Sequence, residues 1–529
     1  MKHFINKISV LGILSAAVIG LPACTHDFEE INTNPNTMVE GMATPYNMME
    51  YLIYEPAQWL DHYGWYWHNE LVQYTTFTGS SLRQYHIYKF SDGEFQTAWN
   101  ANARFATNAR HMYQLAESHD DNACRAIAST LEVMFIANQV SLFGDIPYSE
   151  AFLLRDGGTS QPKFDSQKEV FEQLFDKLEA ANDIYNGSTN FRYPSLDGLF
   201  GGDMKKWQRF NNSMYLRLLM RVSGRSEMNV GEKMTEILAN TSKYPIFRDN
   251  SDNATLYYSG VSPYVSYFYD ANITKNDLNN YRFTEQMRKL MIIADANTGD
   301  DLYADPRTSI MYKMNNSSDY NDEGNWKGAT SGGTQQQTSL AANGTAYFNY
   351  DLYVSNPTTP TMLMGFDELE FILAEAAYRG LIPGGEAQAK TYYLAALEAS
   401  LDHWIEMSTY LSTSAQVTDD EREYFLDNDL TTWDRNDNKL KLIAEQKFIA
   451  LFMVGFEGFN EIRRTGYPEL TIGAGTVYND YQFPTRFAYP ATTLATNNAN
   501  CNIALERMGG SNNMHTNLWW SKAAIASGK

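Results

Sequence analysis

A chain of 529 residues with a formal net charge of −22 has room for several domains or one large helical body. The acidic balance excludes nucleic acid as a partner, because phosphates would be repelled, and it fits a soluble chain that meets neutral ligands. Tyrosine (35) outnumbers phenylalanine (28), which points to rings at wet surfaces as well as in a core, since tyrosine joins an apolar face to a polar tip.

At the N-terminus, Lys2 and Lys7 flank an apolar run, Ile8–Leu21, too short to cross a membrane as a mature helix. Residues 1–23 therefore read as a leader. The run closes on Leu21-Pro22-Ala23-Cys24, which resembles a bacterial lipobox with Pro22 where a small residue is usual. The chemistry this implies is thioether lipidation of Cys24 and cleavage before it; the alternative is a secreted protein with a cysteine at the boundary. Each buried methylene adds roughly 0.8 kcal/mol, so several acyl chains anchor firmly in outer-membrane lipid where one would not. Losing Lys2 and Lys7 with the leader takes the charge from −22 to −24. Cys124 and Cys501 then remain. An oxidising compartment would permit a bridge between them, whereas the helical pattern around Cys124 reads as a buried thiol.

Residues 24–44 are polar, with Asn34-Pro35-Asn36 as a turn, and read as a lipidated tether. Pro45–Thr75 turns helical and strongly aromatic, through Trp59, Tyr63, Trp65, Tyr66 and Trp67. Thr76–Asp92 reads as a polar, tyrosine-bearing loop. Helices are expected over about Gly93–Glu117 and Asp121–Phe143, the second stopping at Gly144 before Asp145-Ile146-Pro147-Tyr148. Ser166–Tyr185 and Lys205–Val222 are amphipathic and suit an antiparallel pair. From 241 to 360 the composition shifts to Asn, Asp, Gly, Thr and Tyr; an unstructured loop of that length is improbable, so short helices, small strands and long excursions are expected.

Helical patterns return over Phe366–Gly380 and Ala387–Trp404. Ala374, Ala376 and Ala377, with Tyr393, Ala395 and Ala396, give the small-against-large packing of tetratricopeptide-type helix pairs, although no single period runs through the chain. The stretch Leu442–Val454 is apolar nearly all round, the mark of a buried helix. Gly455 breaks it. A second short helix over Glu457–Arg464 stops at Gly466 with Pro468 just beyond, and Glu457 and Glu461 are spaced to pair with Arg463 and Arg464.

Catalytic signatures are absent from the sequence: it holds no HExxH, paired CxxC, GxSxG, Walker loop or GxGxxG. His62 and His68 lack metal-ligand spacing. A glycosidase-like carboxylate pair rests on a separation in space that spacing in sequence does not give. Asp295-x-Asn297-x-Gly299 resembles a structural calcium loop, but its glycine falls at position 5 and no glutamate closes position 12, which favours a capped polar loop. No other cofactor is indicated.

Three segments together, DFEEINTNPN (27–36), SLFGDIPYSEA (141–151) and QKFIALFMVGFEGFNEIRRTGYPEL (446–470), resemble the SusD/RagB-type outer-membrane nutrient-binding lipoproteins, and in particular the SusD-like group. Gly458-Phe459 departs from the Ala-Trp usual in that group while keeping an aromatic. The acidic Asp27, Glu29 and Glu30 resemble surface-export signals of Bacteroidetes lipoproteins. The resemblance implies a mainly α fold: tetratricopeptide-type helix pairs with long irregular loops and a few short strands. It implies one helical domain over 45–529 with a loop-rich insertion at about 241–360. It also implies a non-catalytic, surface-facing lipoprotein that captures oligosaccharide and passes it to a SusC-like TonB-dependent transporter. Peptide capture, as in RagB-like members, and a helical-repeat scaffold with no small ligand are the alternatives.

Sugar rings present an apolar C–H face and a hydroxyl rim, so their sites need flat side chains flanked by donors and acceptors. Two stretches have that composition: Gln73–Tyr88, with Tyr74, Arg83, Tyr85 and Tyr88, and 317–327, with Tyr320, Asn325 and Trp326. Family resemblance places glycan contacts in roughly these regions. Trp326, in a Gly-rich loop beside Asn325 and Lys327, is the leading candidate, and Trp67 is carried as a further ligand-binding ring.

Overall fold

The computed structural model describes residues 43–79, 84–154, 157–187, 190–315, 326–341 and 344–526. The fold is mainly α. A 3₁₀ turn at Pro45–Met48 leads into α1 (Met49–Tyr63), which runs on through a π turn at Gly64–His68. Helix α2 (Asp92–Ser118) starts at Ser91, whose backbone amide meets the Glu94 carboxylate in a capping box. Helix α3 (Asn122–Phe143) begins where the Asp121 carboxylate accepts from Cys124 N–H and ends at Gly144, whose φ of 91° only glycine adopts readily. Then follow α4 (Gln167–Asn186), α5 (Met204–Arg221) and α6 (Val230–Ala239). The C-terminal part supplies α7 (Phe366–Tyr378), α8 (Gly385–Met407), α9 (Lys439–Ala450), α10 (Glu457–Thr465) and α11 (Asn498–Met508).

Consecutive helices pack in pairs: α2 on α3, α3 on α4, α4 on α5, and α7 on α8 and α9. The α4/α5 pair is antiparallel, because the Gln208 amide near the start of α5 donates to Asn182 and Asn186 at the end of α4. Helix α3 is apolar enough to pass for a membrane span by length and composition, but nearly nine-tenths of that stretch is buried inside the protein. Its one carboxylate, Glu132, is buried and takes Arg110 of α2 at 2.7 Å and Lys177 of α4 at 2.9 Å, pinning three helices at one point. Buried apolar residues from Tyr46 to Trp520 form one contiguous cluster.

Short strands lie between and beside the helices. A four-stranded antiparallel sheet has the order β1 (Thr75–Phe77), β3 (Tyr281–Phe283), β7 (Tyr347–Phe348), β6 (Tyr312–Lys313). Two-stranded pairs join β2 (Ala254–Leu256) to β8 (Thr361–Met364), and β4 (Ile292–Ala294) to β5 (Asp301–Ala304). Residues 241–360 thus hold short strands and helices between long excursions, as their composition implies.

Helix α9 is buried on nearly all sides. It is followed by a turn through Met453 and Gly455, both in left-handed backbone, and by α10, which stops at Gly466 in the same conformation. Arg464 makes the expected pair with Glu461 and adds a bidentate pair with Glu375 of α7. Arg463 departs from expectation. Among the described residues it has no carboxylate partner; its guanidinium lies 3.7 Å from the Phe459 ring centre and donates to the carbonyls of Phe459, Ser141 and Thr485. Cys124 and Cys501 are free, buried thiols.

Candidate functional site

The described part of Thr76–Asp92 is more enclosed than the polar loop its composition suggests. It opens with β1, all three residues of which are buried, and continues through a buried 3₁₀ turn at Tyr85–Ile87. The candidate rings are enclosed accordingly. Tyr74 is fully buried, stacked on Phe448 at 4.2 Å, with its hydroxyl donating to the Phe448 carbonyl. Tyr88 is buried and accepts from the Gln73 amide; Tyr85 is buried and donates to Glu94 at 3.0 Å. Trp67 packs against Tyr63 at 4.0 Å. Trp326, only 7 % exposed, sits edge-on to Phe283 of β3, and its backbone N–H donates to Asp301. None of these five rings turns a face to solvent. Around Tyr74 the reason is that β1, paired with β3, is buried at every residue, so the alternation that leaves one side of a strand wet does not apply. Arg83, Tyr320, Asn325 and Cys24 lie outside the described residues.

Exposed rings stand instead on a turn that follows α10. Thr476–Asn479 is a 3₁₀ turn, and Asp480 and Tyr481 after it have φ of 50° and 57°. Two successive non-glycine residues in left-handed backbone are costly, on the order of 1–3 kcal/mol each, and such strain clusters at functional sites. The turn presents Tyr478 and Tyr481, 58 % and 60 % exposed, beside the half-exposed Val477.

The turn is held from three sides. The Lys89 ammonium lies 4.6 Å over one face of Tyr478 while donating to the Gln84 amide oxygen at 3.1 Å. Behind it, Gly475 N–H donates to the Gly332 carbonyl at 2.8 Å. A Cβ on Gly473 would come within 2.2 Å of that carbonyl oxygen, so glycine is what lets segment 473–475 lie on 332–333. On the third side, Nε2 of His515 lies 3.3 Å from the Asp480 carboxylate. The face therefore borders both nominated stretches, through Gln84–Lys89 and through the segment that follows Trp326. With Lys89 on one face of Tyr478, the rest of that exposed ring and the exposed Tyr481 ring are equipped to stack on a sugar, with nearby polar groups to meet its hydroxyls. The string Thr476–Phe483, TVYNDYQF, carries the same tyrosine-in-polar-loop composition as the two longer stretches.

The four carboxyls pushed furthest up are buried. Burial pushes Asp61 and Glu70 up to about 8, and Asp367 and Glu370 up to about 7. Burial lowers His68 to about 3, and its Nε2 accepts from the Phe459 amide at 3.1 Å. The Asp295 carboxylate is occupied by the N–H groups of Asn297 and Thr298, at 2.8 and 2.9 Å, in the β4–β5 connection. Among the described residues no group of three His, Cys, Asp or Glu could hold a metal ion.

The family of SusD-like proteins described as starch-binding and associating with the outer membrane matches residues 36–490. The chain belongs to the SusD-like family. Among solved structures, a chitin-binding protein shares 21% identity over 90% of this chain and 100% of its own, with a TM-score of 0.74. A SusD homolog from Bacteroides fragilis shares 22% identity over 90% and 100% of the two chains, with a TM-score of 0.71. A chitin-binding SusD homolog from Flavobacterium johnsoniae shares 20% over 89% and 97%, with a TM-score of 0.68. These likenesses establish a SusD-type fold. No curated protein matches the sequence.

Proposed function

We propose that the protein is a cell-surface nutrient-capture lipoprotein that holds an oligosaccharide on the Tyr478–Tyr481 face and delivers it to a SusC-like TonB-dependent transporter. The observation that carries this reading is the pair of exposed rings on a strained turn, edged by Lys89 and Gln84. Membership of a family described as starch-binding and outer-membrane-associating supports a glycan as cargo. In this reading residues 1–23 are a leader, Cys24 carries the lipid, 24–44 form the tether and 45–529 the binding body. Stacking plus a few hydroxyl hydrogen bonds gives weak, reversible capture, which suits a handover and requires no chemical step.

The test is titration calorimetry of the purified, detergent-solubilised protein against malto- and chito-oligosaccharides, with a peptide pool as control. Saturable binding of one glycan series, with no product released from it, supports the reading. Binding of peptides alone, or release of shortened sugars, overturns it.

A further inference from the structure

A second feature touches the ring-bearing turn through His515. A cavity of about 480 Å³ opens between the Asp145 turn, the start of α4 at Ser166–Lys168, and the C-terminal segment from Arg507 to Trp519. That volume is within the range of small-ligand sites and large enough for a sugar residue. The cavity joins the proposed binding face through one side chain: His515 lines it, and Nε2 of the same imidazole reaches Asp480, between Tyr478 and Tyr481. The other ring nitrogen, Nδ1, is buried and has no hydrogen-bond partner among the described residues.

Charge decides the class of ligand. The permanent cations of the lining already face carboxylates: Arg507 pairs with Asp145 at 2.5 Å and Lys168 with Glu172 at 3.4 Å. No unbalanced charge remains to attract an anion. The rest of the wall joins amides and hydroxyls of Ser511, Asn513, Thr516 and Asn517 to the Trp519 ring and the apolar Met508 and Ala524. Such a wall matches a neutral polyhydroxylated ligand.

We infer that this cavity is a second subsite of the same binding face, taking a neutral sugar residue from the end of an oligosaccharide whose neighbouring residues lie on Tyr478 and Tyr481. The inference rests on the capture reading above. It makes a chain long enough to span both places bind more tightly than a short one, by adding contacts to a ligand already held.

The experiment compares hexamers with trimers of the malto and chito series, by calorimetry on the purified, detergent-solubilised protein and its variants. The wild type is expected to hold the better hexamer at least tenfold more tightly than the trimer. Ser511→Trp, which fills the cavity from its exposed rim, and Asn517→Leu, which removes a polar wall group, are each expected to bring that ratio close to one. Thermal unfolding confirms that each variant is folded, and if one does not fold the other decides. An unchanged ratio in the folded variants, while Tyr478→Ala/Tyr481→Ala still weakens both ligands, overturns the subsite and leaves the ring face standing. Loss of neither ligand in that tyrosine variant, or no glycan binding in the wild type, overturns both.

Discussion

The amide of Phe459 on α10 donates to Nε2 of His68, and the residue between that amide and α9's trailing turn, Gly458, has no side chain to spare. A Cβ at Gly458 would lie 2.8 Å from the Tyr74 hydroxyl oxygen and 3.0 Å from His68 Nε2. Neither neighbour yields easily, because Tyr74 is tied to the Phe448 carbonyl and His68 to Phe459. Gly458-Phe459, the departure from the group's usual Ala-Trp, is thus matched to the packing around it.

Gly458→Ala is therefore expected to destabilise the protein by roughly 1–3 kcal/mol, the usual penalty of overpacking. Urea unfolding of the variant measures this directly. Stability equal to that of the wild type would mean that the His68–Tyr74 wall relaxes freely.

Arg464 joins two buried carboxylates. It donates to Glu375 at 2.6 and 2.5 Å and to Glu461 at 3.1 and 2.6 Å, while Lys447 reaches Glu461 at 3.2 Å. These charges hold the Glu461 carboxyl below its ordinary range. Arg464→Met leaves both carboxylates short of a partner and is expected to cost about 3–5 kcal/mol in urea unfolding. A loss under 1 kcal/mol would show the cluster to be dispensable.

Glu70 gives a pH signature. It is buried and accepts from Phe77 N–H and the Thr75 hydroxyl, and burial raises it to about 8. Between about pH 4.5 and 8 the native state holds a proton here that the unfolded chain has released. Its contribution to stability therefore falls as pH rises through that window and levels off above it. Glu70→Gln keeps a neutral amide in place of the acid and removes this dependence. The variant is expected to match the wild type near pH 4 and to exceed it by about 3 kcal/mol at pH 7. Denaturation at the two pH values decides, and a difference that does not grow with pH would contradict the assignment.

Trp326 is part of the wall behind the sheet rather than a sugar platform. Trp326→Ala is expected to lower stability by about 3 kcal/mol through lost packing on Phe283, and to leave glycan affinity within twofold under conditions where the variant is folded. A large affinity loss with unchanged stability would return this ring to the site.

Helices were legible from the sequence because their signals are local. Asp121 and Ser166 as caps, Gly144 and Gly466 as stops, and the all-round apolar α9 each depend on residues within a few positions. The candidate face was not singled out in the sequence. Whether Tyr74 or Tyr478 meets water depends on partners such as Phe448, 374 residues away, and Lys89, 389 residues away. Composition marks a ring in a polar stretch equally well in both cases. The pairing of β1 with β3, across more than 200 residues, is what turns the first stretch inward.

The most direct measurement is calorimetric titration of the wild type and of Tyr478→Ala/Tyr481→Ala with the tightest-binding oligosaccharide. Both side chains are exposed, so thermal stability should be unchanged. The account predicts at least a tenfold loss of affinity, about 1.4 kcal/mol or more. Undiminished affinity in the folded double variant would contradict it.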